Sequence, residues 1–217
     1  MTGFALIPAR GGSKRIPGKN LRTVAGKTLV AHAIDCALGA GLTPVVSSDS
    51  DEICNHARAN QAACIRRPKH LAQDATALEP VIEHAINAVS GYDTCVVLQP
   101  TSPLRTSKDV LAALRKLDEG ADSVLAVVHC PQAAFCGRLN GDSFRHYNPV
   151  LNRPRTQDIN SYADCGAIYA FRTSWFCKHK VRFGGNVRAV VLDAWSGLDV
   201  DNSIDLRLAG LMVHAAI

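Results

Sequence analysis

Short apolar runs alternate with helix-length amphipathic segments along most of this chain, and no other feature restricts its fold as strongly. The runs "FALIPA", "TPVVSSD", "DTCVVLQP" and "DSVLAVV" read as buried strands, with "AACIRRP" a further short one. Between them "TLVAHAIDCALGAG", "SDEICNHARANQ", "ALEPVIEHAINAVSG" and "SKDVLAALRKLDEG" carry helical spacing. The punctuation agrees: the first ends at Gly39 and Gly41, the second opens on Ser and Asp, and Pro80 fits only the first turn of the third. Strands and helices in this order imply right-handed βαβ units, hence an α/β fold with a mostly parallel central sheet and helices on both faces. Function in such folds gathers beyond the carboxyl ends of the strands, so the loops after residues 8, 46, 98 and 128 are the places to look.

The pattern breaks from about 129 to 165. That stretch holds the turn signals "NGD", "NP" and "RPR" and no long helix, which predicts an excursion containing a hairpin. The chain returns with "AIYAF", "VRAVVLD" and a terminal helix over "SIDLRLAGLMVHAA". A length of 217 residues suits one domain, 1–217, with that arm attached.

Several classes are disfavoured. The net charge of +5 is compatible with small anions, but the basic residues form no stripe and few aromatics interleave with them, so nucleic acid is not an expected partner. No apolar run approaches the roughly 20 residues that cross a bilayer. The opening "MTGFALIPAR" has neither a basic leader nor a small-residue cleavage site, which argues for a cytoplasmic protein. Eight cysteines without any Cys-x-x-Cys read as buried, reduced thiols rather than a disulfide framework. His129 and Cys130 with Cys136 match no common zinc spacing.

The first functional loop is "ARGGSKRIPGKN", which follows a strand end. Gly11 and Gly12 can take positive φ and leave their amides free to curl around an anionic oxygen. Arg10, Lys14, Arg15 and Lys19 surround them with positive charge, and Ser13 adds a hydroxyl. The ligand this chemistry suits is a polyphosphate. The loop is not a P-loop, because "AGKT" at 25–28 has Leu21 where the upstream glycine belongs. Nor is there a dinucleotide fingerprint, since "GAGLTP" ends on Pro44.

"IPARGGSKRIPGKN" resembles the N-terminal signature of the sugar-activating cytidylyltransferases, in particular the N-acylneuraminate (sialic acid) group. The resemblance implies a Rossmann-like nucleotidyltransferase fold, and a loop that wraps the triphosphate of CTP through Arg10, Gly11, Gly12, Ser13, Lys14, Lys19 and Asn20. "RRPKHLAQDATA", 66–77, is similar to the family's segment near the cytosine and ribose, with Arg67 and Asp74 at the matching positions; its "DATA" departs from the usual Asp-Thr-Ala-Ser. "LQPTSPLRT", 98–106, resembles the stretch that shapes the sugar-acid pocket, implying roles for Gln99, Thr101, Ser102 and Arg105, although Arg105 suits a structural ion pair equally well.

Asp199 and Asp201 stand two apart in "LDVDNSIDL", and on an extended segment both carboxylates face one way, an arrangement suited to Mg²⁺. The resemblance implies that this pair carries the catalytic metal, and that Arg10, Lys14 and Lys19 serve catalysis with it. Asp205 reads as a residue complementing the helix dipole. "RPRTQD", 153–158, is similar to the family's arm, which implies a homodimer. "YADCGAIYAF" leads to Tyr169 as a further sugar-side candidate, but the arginine of the sialic acid enzymes is absent, with Ala163-Asp164-Cys165-Gly166 in its place. That form looks closer to the pseudaminic acid branch, whereas "LQPTSPLRT" is closer to the sialic and legionaminic branches. The implied reaction joins a nine-carbon 2-keto-3-deoxy sugar acid to CTP. A transferase acting on Kdo or another NTP, a non-catalytic nucleotide-binding module and a nucleic-acid binder are the alternatives.

Overall fold

The computed structural model describes residues 2–147 and 154–215. Its logic is clearest in β1 (Gly3–Pro8), where Phe4, Ala5, Leu6 and Ile7 are all fully buried. Successive side chains of a strand point to opposite faces, so Phe4 and Leu6 enter one apolar cluster and Ala5 and Ile7 the other. A strand covered on both sides belongs in the middle of a parallel sheet. β1 pairs in parallel with β4 (Thr43–Ser48) on one side and β6 (Thr94–Leu98) on the other, and β5 (Ala63–Arg66) extends the sheet past β4. Beyond β6 come β10 (Tyr162–Arg172), β7 (Ser123–His129) and β11 (Val187–Leu192), completing seven strands. Only β10 runs against its neighbours.

Helices α1 (Leu29–Gly39), α2 (Asp51–Ala59) and α4 (Ser107–Asp118) bury Val30, Ile34, Ile53, Val110 and Leu117 on one face. Ile82 and Ala85 of α3 (Leu78–Ala88) and Phe176 of α5 (Thr173–His179) cover the other. The helix starts follow from local chemistry. Thr28 and Ser50 accept from Ala31 and Ile53 amides, Thr106 and Asp109 form a reciprocal capping box, and Pro80 lies in the first turn of α3. A short hairpin, β2 (Thr23–Val24) with β3 (Lys27–Thr28), precedes α1.

The excursion carries the expected hairpin, β8 (Gly137–Asn140) with β9 (Ser143–His146), and Gly141 takes the left-handed turn conformation. Arg153 of the arm motif lies outside the described residues. Pairing of Tyr162 with His129 shows that the return strand begins before residue 165, so the excursion is shorter than its composition implies. The short α5 has no counterpart in the sequence reading.

Expected thiol chemistry fails at one pair. Cys54 of α2 and Cys64 of β5 are joined in a disulfide, their Cα atoms 5.3 Å apart. Packing of α2 against the edge strand brings together two residues whose spacing in the chain carries no signal. The other six cysteines are free, and Cys36 and Cys95 are buried.

A third, smaller cluster joins the two ends of the chain. Ile16 of the basic loop, Val24, Leu29, Val200 and Ala209 pack together, so the N-terminal loop is pinned to α6 (Ser203–Ala215) and the segment before it. Residues nearly two hundred positions apart in sequence are thereby held at one end of the sheet.

Candidate active site

Strand order reverses around β1, since the chain steps to β4 and β5 on one side and later to β6 on the other. A crevice forms outside the carboxyl ends at such a switch point. It is present here as a cleft of about 530 Å³, in the size range of small-molecule sites. Arg10, Ser13, Lys14, Lys19, Asn20, Arg67, Asp74, Gln99, Thr101 and Asp201 all reach its wall.

The four cations of the opening loop are held by two carboxylates. Asp74 takes Arg10 at 2.5 Å and also Lys14, while Asp201 takes Arg15 at 2.6 Å and Lys19 at 3.4 Å. Lys14 and Arg15 are mostly exposed, so these pairs are screened and readily exchanged. Lys19 is well buried and also donates to the Val200 carbonyl at 2.9 Å. Asn20 is buried and ties the loop back on itself by donating to the Arg10 carbonyl at 2.9 Å.

The glycines act otherwise than their composition predicts. Neither Gly11 nor Gly12 has positive φ, whereas Gly18 does, at 64°. Gly11 is needed for close approach, because a Cβ there would lie 2.9 Å from the Ser50 Cβ. Its amide is already given to Asp49 Oδ1 at 2.9 Å, so it is not free for a phosphate. The Gly12 position is open.

Arg67 is buried in the opposite wall and donates to the Ser47 hydroxyl and carbonyl at 3.1 and 2.7 Å. Burial pushes its pKa down to about 10, partly opposed by Asp49. The bonds from Lys14 and then Arg10 hold the Asp74 carboxyl below its ordinary value.

Asp199 and Asp201 lie on an irregular stretch before α6, not on a strand, and the backbone between them is fixed by the buried Val200 donating to the Thr101 carbonyl at 2.7 Å. Their carboxyls are driven apart in acidity. Partial desolvation, reinforced by Asp201, raises Asp199 against a bond from Thr101. Partial desolvation also acts on Asp201, but Lys19 and Arg15 outweigh it and hold that carboxyl low. Asp205 and Asn202 cap α6 reciprocally, which is the helix role expected of Asp205.

Three sugar-side candidates do not reach the cleft wall. Ser102 and Arg105 are buried beneath the loop, where Arg105 donates to the Gln99 and Ser102 carbonyls at 2.5 and 2.8 Å. Arg105 therefore braces the turn that presents Gln99 and Thr101 through main-chain carbonyls, and not through the ion pair considered from sequence, since none involves it among the described residues. Tyr169 is buried against the α3 face and donates to Asp164 at 2.8 Å; burial, then Asp164, push its pKa up to about 12.

A model of the family described as cytidylyltransferase matches residues 4–141. The chain belongs to the cytidylyltransferase family. Pseudaminic acid cytidylyltransferase of Campylobacter jejuni is 31% identical, over 98% of this chain and 96% of that protein. CMP-N,N'-diacetyllegionaminic acid synthase of Legionella pneumophila is 30% identical, over 94% and 93%. N-acylneuraminate cytidylyltransferase of Escherichia coli O18:K1:H7 is 29% identical over 95% of this chain, which spans about half, 51%, of that protein. Among solved structures, a CMP:2-keto-3-deoxy-manno-octonic acid synthetase complexed with CTP superposes at a TM-score of 0.78, with 20% identity and both chains fully covered. A 4-diphosphocytidyl-2C-methyl-D-erythritol synthase from Anaerococcus prevotii gives 0.66 at 12% identity, with 98% of each covered. These two likenesses concern the fold.

Within this cytidylyltransferase, residues outside the recognised motifs support the cleft. Asp49 anchors Gly11 and sits near Arg67, while Leu78 and Val81 line the wall facing the loop. Asp49 stands just past the end of β4, where the strand-end rule points, but a lone aspartate carries no motif of its own. No helix among the described residues is long and apolar enough to cross a membrane.

Proposed function

We propose that this cytidylyltransferase activates a nine-carbon 2-keto-3-deoxy sugar acid, of the sialic, legionaminic or pseudaminic kind, with CTP in the cytoplasm. The supporting observation is the convergence of four loop cations on one cleft whose far side carries Asp201 and whose remaining wall carries Gln99 and Thr101. The anomeric oxygen attacks the α-phosphorus of CTP, the bond to the β-phosphate bridging oxygen breaks, pyrophosphate leaves, and the hydroxyl proton goes to solvent or a base. Arg10, Lys14, Arg15 and Lys19 exchange their carboxylate partners for phosphate oxygens and offset charge on the leaving pyrophosphate. Arg67 and Asp74, on the opposite wall, border the nucleoside.

The acidic corner fits a divalent cation. Asp199 is raised by partial desolvation and by Asp201, and the donor set is oxygen only, which suits Mg²⁺. Asp199 and Asp201 would hold it, and when bound it would polarise the α-phosphate. Lys19 orients Asp201, and Thr101 fixes the backbone of Val200 between the two carboxylates.

Pyrophosphate release from CTP and Mg²⁺ with N-acetylneuraminate, legionaminate, pseudaminate or Kdo tests the reading. Release with one of the first three supports it, and release with Kdo alone or with none refutes it. Asp201→Ala should lose turnover by orders of magnitude and still fold, and near-normal activity at saturating Mg²⁺ removes the metal assignment. The hairpin arm leaves Leu139, Phe144 and Tyr147 exposed, which supports a homodimer formed through it. Sedimentation at micromolar concentration should give twice the chain mass.

A further inference from the structure

Between Asp164 and Tyr169 the register of β10 against β7 breaks. Five positions on β10 correspond to two on β7, from Val127 to Leu125. A bulge of that size bends a strand and re-aims its side chains, and bulges of this kind are held by specific contacts. Here Asp164 supplies them. One of its carboxylate oxygens accepts from the Gly166 amide at 2.9 Å and the other from the Tyr169 hydroxyl at 2.8 Å. Gly166 is left-handed, φ 71°, and a Cβ on it would meet the Gln99 Nε2 at 3.0 Å.

The contact continues to the cleft. Gly166 carbonyl accepts from Gln99 Nε2 at 2.9 Å, and Gln99 lines the cleft. A carbonyl oxygen only accepts, so the NH₂ end of the Gln99 amide must face it. The Gln99 Oε1 is thereby turned away and accepts no hydrogen bond among the described residues. Arg105 fixes the same residue from behind through its main-chain carbonyl.

We propose that Asp164 is a positioning residue for the sugar acid. It holds the β10 bulge, the bulge holds the Gln99 amide, and Gln99 Oε1 is presented to the cleft as a fixed acceptor. The group read there is a hydrogen-bond donor, a hydroxyl or an amide N–H on the sugar acid, and not its carboxylate. This inference rests on the proposed function, and it concerns the sugar side alone.

The test uses the full chain, CTP, Mg²⁺ and whichever of N-acetylneuraminate, legionaminate or pseudaminate the unaltered protein consumes fastest. Asp164→Ala should raise KM for the sugar acid about tenfold, the loss of one well-placed hydrogen bond, with KM for CTP unchanged. Asp164→Asn keeps an acceptor for the Gly166 amide and a partner for the Tyr169 hydroxyl, so it should restore the KM of the unaltered protein. Gly166→Ala, which crowds the Gln99 amide and strains the left-handed turn while leaving the Asp164 carboxylate in place, should reproduce the Asp164→Ala split. Calorimetry with CTP alone should find all three variants indistinguishable from the unaltered protein. An unchanged sugar KM in Asp164→Ala, an equal rise for both substrates, or an Asp164→Asn variant as impaired as Asp164→Ala overturns the inference. Absence of turnover with every sugar acid in the unaltered protein instead overturns the proposed function, and this inference falls with it.

Discussion

Replacing Lys19 by methionine isolates the joint between the two ends of the chain. The side chain is only 15% exposed, and its ammonium donates to the Val200 carbonyl at 2.9 Å and pairs with Asp201 at 3.4 Å. A hydrogen bond from a charged donor is worth about 1.5–3 kcal/mol, and the half-exposed ion pair adds up to about 1. Methionine keeps most of the stem's packing, so the expected loss is roughly 2–4 kcal/mol, or roughly 4–16 °C in Tm for a domain of this size. The linkage sign follows from Asp201. Its folded pKa is depressed, so its stabilising effect is full above the unfolded value near 3.9 and is lost as pH falls through the folded value. Without Lys19 that depression shrinks, and the stability of Lys19→Met should fall less steeply below about pH 4 than that of the unaltered protein. Turnover should drop by about 10²–10³, the effect of removing one transition-state charge donor. Urea unfolding across pH 3–7 and pyrophosphate release measure both. A variant of unchanged stability and unchanged turnover would refute the role given to Lys19.

Other perturbations separate the remaining parts. Gly11→Ala puts a Cβ 2.9 Å from Ser50, so the loop backbone must move; calorimetry should find CTP affinity lower, with stability reduced by about 1–3 kcal/mol. Ile16→Ala opens a cavity in the cluster that joins the loop to α6 and should cost about 2–5 kcal/mol in urea unfolding, with reduced turnover although no charge is altered. Alkylation of the denatured, unreduced protein should label six cysteines, the eight of the sequence less Cys54 and Cys64, and mass spectrometry counts them.

The central sheet was legible because β1, β4, β6 and β7 are short apolar runs separated by helices with readable starts, side-chain caps at α1, α2 and α4 and Pro80 in the first turn of α3. Direction was not legible for β10, since "AIYAF" reads alike whichever way the strand runs, and the two pairing partners that settle it lie dozens of residues away. Helix α5 escaped because seven residues hold too little periodicity to stand out from "TSWFCKH". At the site, charge was readable and burial was not. Arg10, Lys14, Lys19 and Asp201 reach the cleft as the motifs imply, whereas Arg105 stands in an equally persuasive motif but faces inward. Glycine was misread for a related reason. Its freedom to adopt positive φ shows in any sequence, but Gly11 is required by the proximity of Ser50, which only the packed loop reveals.

The reversed strand has a wider consequence. Because β10 enters the sheet beside the end of β7, with Tyr162 opposite His129 and Cys130 donating to Ser161, the detour that carries the hairpin leaves and rejoins the body at one rim. That rim lies at the carboxyl end of β7, the side of the sheet on which the cleft also opens. A graft of different length or chemistry between those two anchor points would therefore alter the molecule beside the cleft while leaving β1, β4 and β5, on the other side of the switch point, as they are.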